Sequence, residues 1–360
     1  MGRKRTPGLI KRQGIWHIDK QVRGKRICRS CDTAKLEEAT RYLAFVIEEN
    51  RQAEIYGVRP KRNFETAAIK FVRENQHKRS ISNDVSRLKG LMPFIGNCDI
   101  DKLNRGTLLP WIESRQRDKV STGTINHGLK VVRRILNLAA GEWIDSYGLT
   151  WLSTAPKITL LQDVDKKKPY PIDWLEQDSL FNQLPKHLVP MALFAVNTGC
   201  RDNEICNLKW EWEAKVPGLK TSVFIIPSEH VKNGQERLVV LNRIASSVIE
   251  KQRNVHDTNV FTYKGKPITR MLNSGWCTAR AKAGLFQVRV HDLKHTFGRR
   301  LRAAGAGFED RQDLLGHKSS RMPTHYSQVG LRRLIECANK VCERNRQKPE
   351  LVLLRRNKAA

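Results

Sequence analysis

The chain has 360 residues, enough for two or three domains, and carries 66 Lys and Arg against 36 Asp and Glu, a net charge of +30 with a pI near 10.1. A cationic excess of that size, spread along the whole sequence, points to a polyanionic partner, with nucleic acid ahead of a membrane surface. The longest apolar run, Leu188 to Val196, is nine residues, far short of a bilayer span, and no signal peptide is evident, so a cytoplasmic protein with no membrane partner is expected. Eight scattered cysteines without a secretory leader read as reduced thiols. Cys28 and Cys31 form a lone C-x-x-C with no second pair or suitably spaced His, so no metal and no cofactor is expected.

Taken in chain order, the first 30 residues hold ten Lys or Arg and one acid, Asp19. Within them GIWHIDKQVRGKRICRS alternates apolar and polar residues around Gly24-Lys25, the pattern of a small hairpin. Thr33 is expected to cap a helix with Leu36, Ala39, Leu43 and Ile47 at helical spacing. A basic sheet-plus-helix module over residues 1–60 follows, ending at the Gly57-Val58-Arg59-Pro60 breaker. Residues 63–155 read as a helical domain of four or five short helices. Phe64, Ala68, Phe71 and Val72 fit one face, and Val85, Leu88, Leu91, Met92 and Ile95 another. Ser121-Thr122 opens the strongest stretch, TINHGLKVVRRILNLAAGEWI.

Lys166 to Lys168 with Pro156, Pro169 and Pro171 form a linker, and residues 170–345 then mix helices with a short sheet. That stretch holds an apolar helix at 187–197, a hairpin in VFIIPSEHVKNGQERLVVL turning at Asn233-Gly234, and further helices. Residues 346–360 read as a basic tail. The fold class expected is multidomain, mainly α with small β-sheets.

Chemistry-bearing residues concentrate in 170–345. Arg201 follows a glycine turn in NTGCRDNEICNLKW, with Glu204 three residues on. Lys232 sits at the hairpin turn, and His291 opens HDLKHTFGRRL. His317 lies in LLGH, and Tyr326 follows it by nine positions. Each has an ordinary explanation alone: an i,i+3 surface pair, a solvated turn lysine, a helix-start or loop histidine, and a half-buried phenol of pKa about 10. In this order and at these intervals the set resembles the catalytic domain of tyrosine recombinases, the phage integrase family. Their members share Arg in a T-G-x-R-x-x-E setting, Lys on a β-hairpin, H-x-x-R, L-G-H, and Tyr nine residues later. The match runs through Thr198, Gly199, Arg201, Glu204, Lys232, His291, Leu315, Gly316, His317 and Tyr326.

The resemblance implies strand breakage and rejoining through a 3′-phosphotyrosine, with Tyr326 as nucleophile. Arg201 and His317 would then be donors to the phosphate, Lys232 the general acid, His291 the aid to proton removal, and Glu204 their support. It also implies an arm-type amino-terminal module, a core-binding helical domain that clamps double-stranded attachment-site DNA together with an α+β catalytic domain, and a homotetramer on synapsed DNA. DNA-bending and directionality proteins are possible partners, and residues from Leu331 onward would dock on a neighbouring protomer. One position departs from the pattern: Lys294 stands where the family places its second arginine. Arg299 and Arg300, five and six positions on, face elsewhere on a helix. That departure keeps open a lapsed DNA-binding protein, and the shared chemistry keeps open a type IB topoisomerase.

Overall fold

The computed structural model describes residues 7–22, 25–216, 218–219, 221–316 and 328–342. They form two compact units, Met1–Lys167 and Lys168–Ala360. No helix among the described residues is long and apolar enough to cross a membrane.

The first unit opens with strands β1 (Leu9–Arg12), β2 (Ile15–Val22) and β3 (Lys25–Ser30), an antiparallel sheet in that order. Val22 pairs with Lys25, and residues 23 and 24 lie outside the described residues. The alternation seen in the sequence thus belongs to β2 and β3, and β1 adds a third strand. Helix α1 (Leu36–Tyr56) covers the sheet, burying Ala39, Leu43 and Val46 with Leu9 and Ile18. Its cap position is Lys35 rather than Thr33. The Thr33 hydroxyl instead accepts from the Lys35 N–H at 3.2 Å and donates to Glu38, so it ties down the turn before the helix.

Helices α2 (Phe64–Glu74), α3 (Ile81–Ile95), α4 (Arg105–Arg117) and α5 (Thr122–Gly141) complete this unit. Asn63 caps α2 by accepting from the Thr66 N–H, and Ser121 caps α5 through the Thr124 N–H. Phe64, Phe71, Leu88, Leu91 and Ile95 share one core with Leu129, Val132 and Ile135 of α5, the apolar face that its spacing predicts.

In the second unit α6 (Trp174–Gln183), α7 (Leu188–Thr198) and α8 (Asp202–Cys206) precede strands β4 (Glu213–Val216), β5 (Thr221–Ile226) and β6 (Arg237–Val240). These strands form an antiparallel sheet, β4-β5-β6, with Ile226 opposite Arg237. The Asn233-Gly234 turn is therefore not a tight hairpin. It closes a longer loop, residues 227–236, that begins with the short 3-10 turn Ser228–His230. Helix α9 (Arg243–Gln252), the strand pair β7 (Thr262–Tyr263) and β8 (Lys266–Pro267), and helices α10 (Ser274–Lys282), α11 (Val290–Ala303), α12 (Phe308–Leu315) and α13 (Gln328–Lys340) follow.

The central helix α11 buries Val290, Leu293, Lys294, Phe297 and Leu301 along one stripe, so a lysine lies in phase with the core. Helix α13 packs within its own unit. Leu334, Ala338 and Val341 are buried with Val240, Phe297 and Leu314, and the Asn242 side chain donates to the Ala338 carbonyl at 3.3 Å. The i, i+4, i+7 apolar stripe of Leu334, Ala338 and Val341 is thus buried within the same chain.

Candidate active site

The site is built on the turn between α7 and α8. Gly199 ends α7 in the left-handed conformation, φ +62°, and a Cβ there would lie 2.7 Å from Phe297 and 2.9 Å from Leu315. Only glycine fits, both for conformation and for the closeness of α11 and α12. Arg201 then stands extended at the start of α8, its side chain 23% exposed. The Glu204 carboxylate accepts from the Arg201 backbone N–H at 2.8 Å and from Arg201 Nη1 at 2.6 Å. Among the described residues the remaining guanidinium N–H groups of Arg201 have no partner, so one edge of the fork stays open.

Beneath this pair lies a residue that the sequence reading passed over. Arg237, on β6 directly after the Lys232 loop, is buried, and its Nη1 donates to Glu204 Oε2 in a short ion pair. Its Nη2 donates to the Gly199 carbonyl at 3.1 Å. A signal for it existed: Arg237 and Val239 share one face of a strand, and Val239 is core. Burial by itself pushes the Glu204 carboxyl up, but the Arg237 and Arg201 charges outweigh that and hold it below the ordinary carboxylate range.

The structure brings Lys294 to the same turn. Its Nζ donates to the Gly199 carbonyl at 2.8 Å and to the Leu315 carbonyl, and the residue is 4% exposed. Burial first, then repulsion by Arg237 and Arg201, pushes its pKa down to about 7. Arg299 and Arg300 are engaged elsewhere, Arg299 on the Pro171 carbonyl and Arg300 stacked 3.4 Å from the Trp174 ring centre while donating to Gln177. Two guanidinium ions thus hold one carboxylate, with the Lys294 amine beside them on the Gly199 carbonyl, and the floor carries surplus positive charge.

His291 stands exposed in the first turn of α11, edge-on to His295 with ring centres 4.8 Å apart. The neighbouring protein still desolvates it, and this, with the charges of His295, Lys294 and Arg201, holds its pKa below that of a free imidazole. A neutral ring can accept a proton at pH 7. Asp292 beside it is fully buried and is held by the Arg289 guanidinium and by the Tyr170 N–H at 3.1 Å, which fixes the start of α11.

Lys232 stands apart from this cluster, exposed on the 227–236 loop, where its ammonium has no hydrogen bond or ion pair among the described residues. His317 and Tyr326 lie outside the described residues. The structure does describe the turn leading to them, where Gly316 ends α12 at φ +58° and a Cβ would meet Arg237 Nε at 2.8 Å.

A mixed sheet-and-helix unit holding an arginine fork, open among the described residues, over a buried carboxylate and near a histidine of lowered pKa, with a loop lysine exposed on the same unit, is equipped to neutralise and protonate a phosphodiester under attack. Residues 175–332 match the phage integrase family. The integrase of Salmonella phage P22 is 26% identical over 92% of this chain and 94% of its own length. Two solved structures share the fold. A lambda integrase dimer bound to a COC′ core site has a TM-score of 0.55 at 13% identity, covering 99% of this chain and all of that one. A lambda integrase tetramer bound to a Holliday junction has a TM-score of 0.54 at 16% identity, covering 90% and 98%. Residues 175–332 are thus a phage integrase family domain, and the chain is a tyrosine site-specific recombinase, an enzyme that breaks and rejoins DNA strands.

Proposed function

We propose that Tyr326 attacks the scissile phosphate of an attachment site and that the chain thereby integrates or excises a phage or mobile element. The observation that carries this reading is the open edge of the Arg201 fork, held by a buried carboxylate and without a further partner among the described residues. A planar fork of that kind matches two non-bridging oxygens of a phosphate. In the proposed step the Tyr326 oxygen bonds to phosphorus as the bond to the 5′-oxygen breaks. The tyrosyl proton passes to neutral His291, and Lys232 gives a proton to the leaving 5′-hydroxyl. Arg201 and His317 hold the charge on the two oxygens. Rejoining is the reverse, with a 5′-hydroxyl attacking the 3′-phosphotyrosine. Lys294, turned toward two carbonyls, contributes its charge from below and keeps Gly199 and Leu315 in register.

In the same reading residues 170–345 carry catalysis, residues 63–155 grip the core site, and residues 1–60 contact a second class of DNA sites. The amino-terminal role is supported by Lys11, Arg12, Arg26 and Arg29, all exposed on the three-stranded sheet. Four protomers assemble on two synapsed duplexes, with DNA-bending and directionality proteins as further partners. Incubation with a suicide half-site, built from the end of the element that encodes the chain, tests the central step. A covalent protein–DNA adduct is expected, and its absence with DNA that the protein still binds contradicts catalysis.

A further inference from the structure

We propose that Arg237 is a positioning residue for strand cleavage: it locks Glu204, and through Glu204 the Arg201 fork, and it sets the Gly316 turn that leads to His317. The inference rests on the reading of Arg201 as the phosphate contact. Arg237 is 3% exposed and lies where β6 emerges from the Lys232 loop, so it reaches no DNA itself. Its guanidinium nevertheless touches Glu204 of α8, the Gly199 turn and the Gly316 turn. Nη1 takes the Glu204 oxygen that also accepts the Arg201 N–H, so Glu204 is gripped from both sides and cannot rotate away from Arg201. Nη2 takes the Gly199 carbonyl, the same oxygen that Lys294 holds from α11. Nε, buried and without a partner among the described residues, faces the position where a Gly316 side chain would be.

A fork is required here because two acceptors that lie in different directions, Glu204 and the Gly199 carbonyl, are served by one planar group. Lysine in its place keeps the charge but can hold neither pair of contacts in fixed geometry. The carboxylate would then be free to turn, and Arg201 would meet the phosphate with one of its two prongs misaligned. Arg237 therefore acts on the charge of the scissile phosphate at one remove, and that gives it a signature distinct from that of a residue that merely stabilises the fold.

The test compares full-length wild type, Arg237→Lys and Arg201→Ala on two suicide half-sites from the element's end, one with the native scissile phosphate and one with a neutral methylphosphonate. Half-site binding and thermal melting confirm that each variant is folded. Arg237→Lys should cleave the native phosphate about 10- to 100-fold more slowly, the usual range for loss of a supporting partner. Most of that loss should vanish on the methylphosphonate, which has less charge to neutralise. Wild-type cleavage of the native substrate, or an equal loss on both, would overturn the inference. Arg201→Ala separates the two claims: if its own loss is absent or the same on both substrates, the Arg201 reading fails whatever Arg237 does. Should Arg237→Lys fail to fold, the double variant Glu204→Gln with Arg237→Gln, which removes both buried charges together, decides by the same comparison of substrates.

Discussion

Two arginine–carboxylate contacts in this chain are similarly close and differ in their surroundings. On the amino-terminal sheet, Arg26 presents its fork to Asp19 at 2.7 and 2.8 Å, in the open between β2 and β3. That contact holds the Asp19 carboxyl down at about 2, against the opposing effect of burial and with lesser help from Cys28 and Arg12. Under the Gly199 turn, Glu204 meets Arg201 and Arg237 with its side chain only 2% exposed. The surface pair is dispensable to the fold because water can solvate both ions when they part. The buried group has no such alternative, so each of its members is needed to keep the others. Geometry alone does not say which ion pair matters; surroundings do.

The largest effect is expected where a cation has no partner among the described residues. Lys232→Ala should slow single-turnover cleavage by about 10²- to 10⁴-fold, the range for loss of a general acid. A substrate with sulfur in place of the leaving 5′-oxygen should restore most of the rate, since a thiolate leaves without a proton. No rescue would mean that Lys232 has some other task. Next, Glu204→Ala should cost about 3 to 5 kcal/mol in urea-unfolding free energy, because it strands the buried Arg237. Asp19→Ala should leave the unfolding midpoint nearly unchanged, and equal losses for the two would break the comparison.

Smaller still is a pH effect. The Lys294 pKa is lowered, so between pH 7 and about 10.4, the ordinary lysine value, the unfolded chain binds the proton that the folded chain has lost. Stability carried by this group therefore rises with pH across that window, by up to about 1.4 kcal/mol per pH unit. Lys294→Met should flatten that slope in urea titrations, and an unchanged slope would place the ammonium in water. The smallest change concerns the amino-terminal sheet. Removing residues 1–60 should spare cleavage of a half-site while reducing the salt dependence of binding to the full attachment site, measured by gel shift from 50 to 200 mM salt. An unchanged salt slope would remove that module from the DNA.

What the sequence disclosed of this arrangement was its order. The T-G-x-R-x-x-E run, the loop lysine and the H-x-x-K helix start are local features, and Arg201, Glu204 and His291 do gather where those features place them. Helices α2 and α5 were equally legible, since Asn63 and Ser121 are good caps before strongly periodic runs. Arg237 was hidden because ERLVVL reads as an ordinary strand, and the partners that make its burial affordable lie 33 to 38 residues earlier. The burial of Lys294 was hidden for a related reason. On the 291, 294, 298 face it looks available to a phosphate, whereas Val290, Leu293, Phe297 and Leu301 put it in phase with the core. The hairpin was shortened by Asn233-Gly234, a strong turn signal that sits inside a longer loop.

Trapping of the covalent intermediate tests the account most directly. Wild type and Tyr326→Phe are incubated with the same suicide half-site, and the products are resolved on a denaturing gel after proteinase treatment of a parallel sample. The substitution removes one oxygen and leaves the ring, so a structural tyrosine would tolerate it. Wild type should yield a protease-sensitive adduct on the 3′-phosphate, and Tyr326→Phe should bind the half-site equally well and yield none. An adduct at wild-type level from Tyr326→Phe would contradict the assignment of the nucleophile and, with it, the role given to every residue arranged around Arg201.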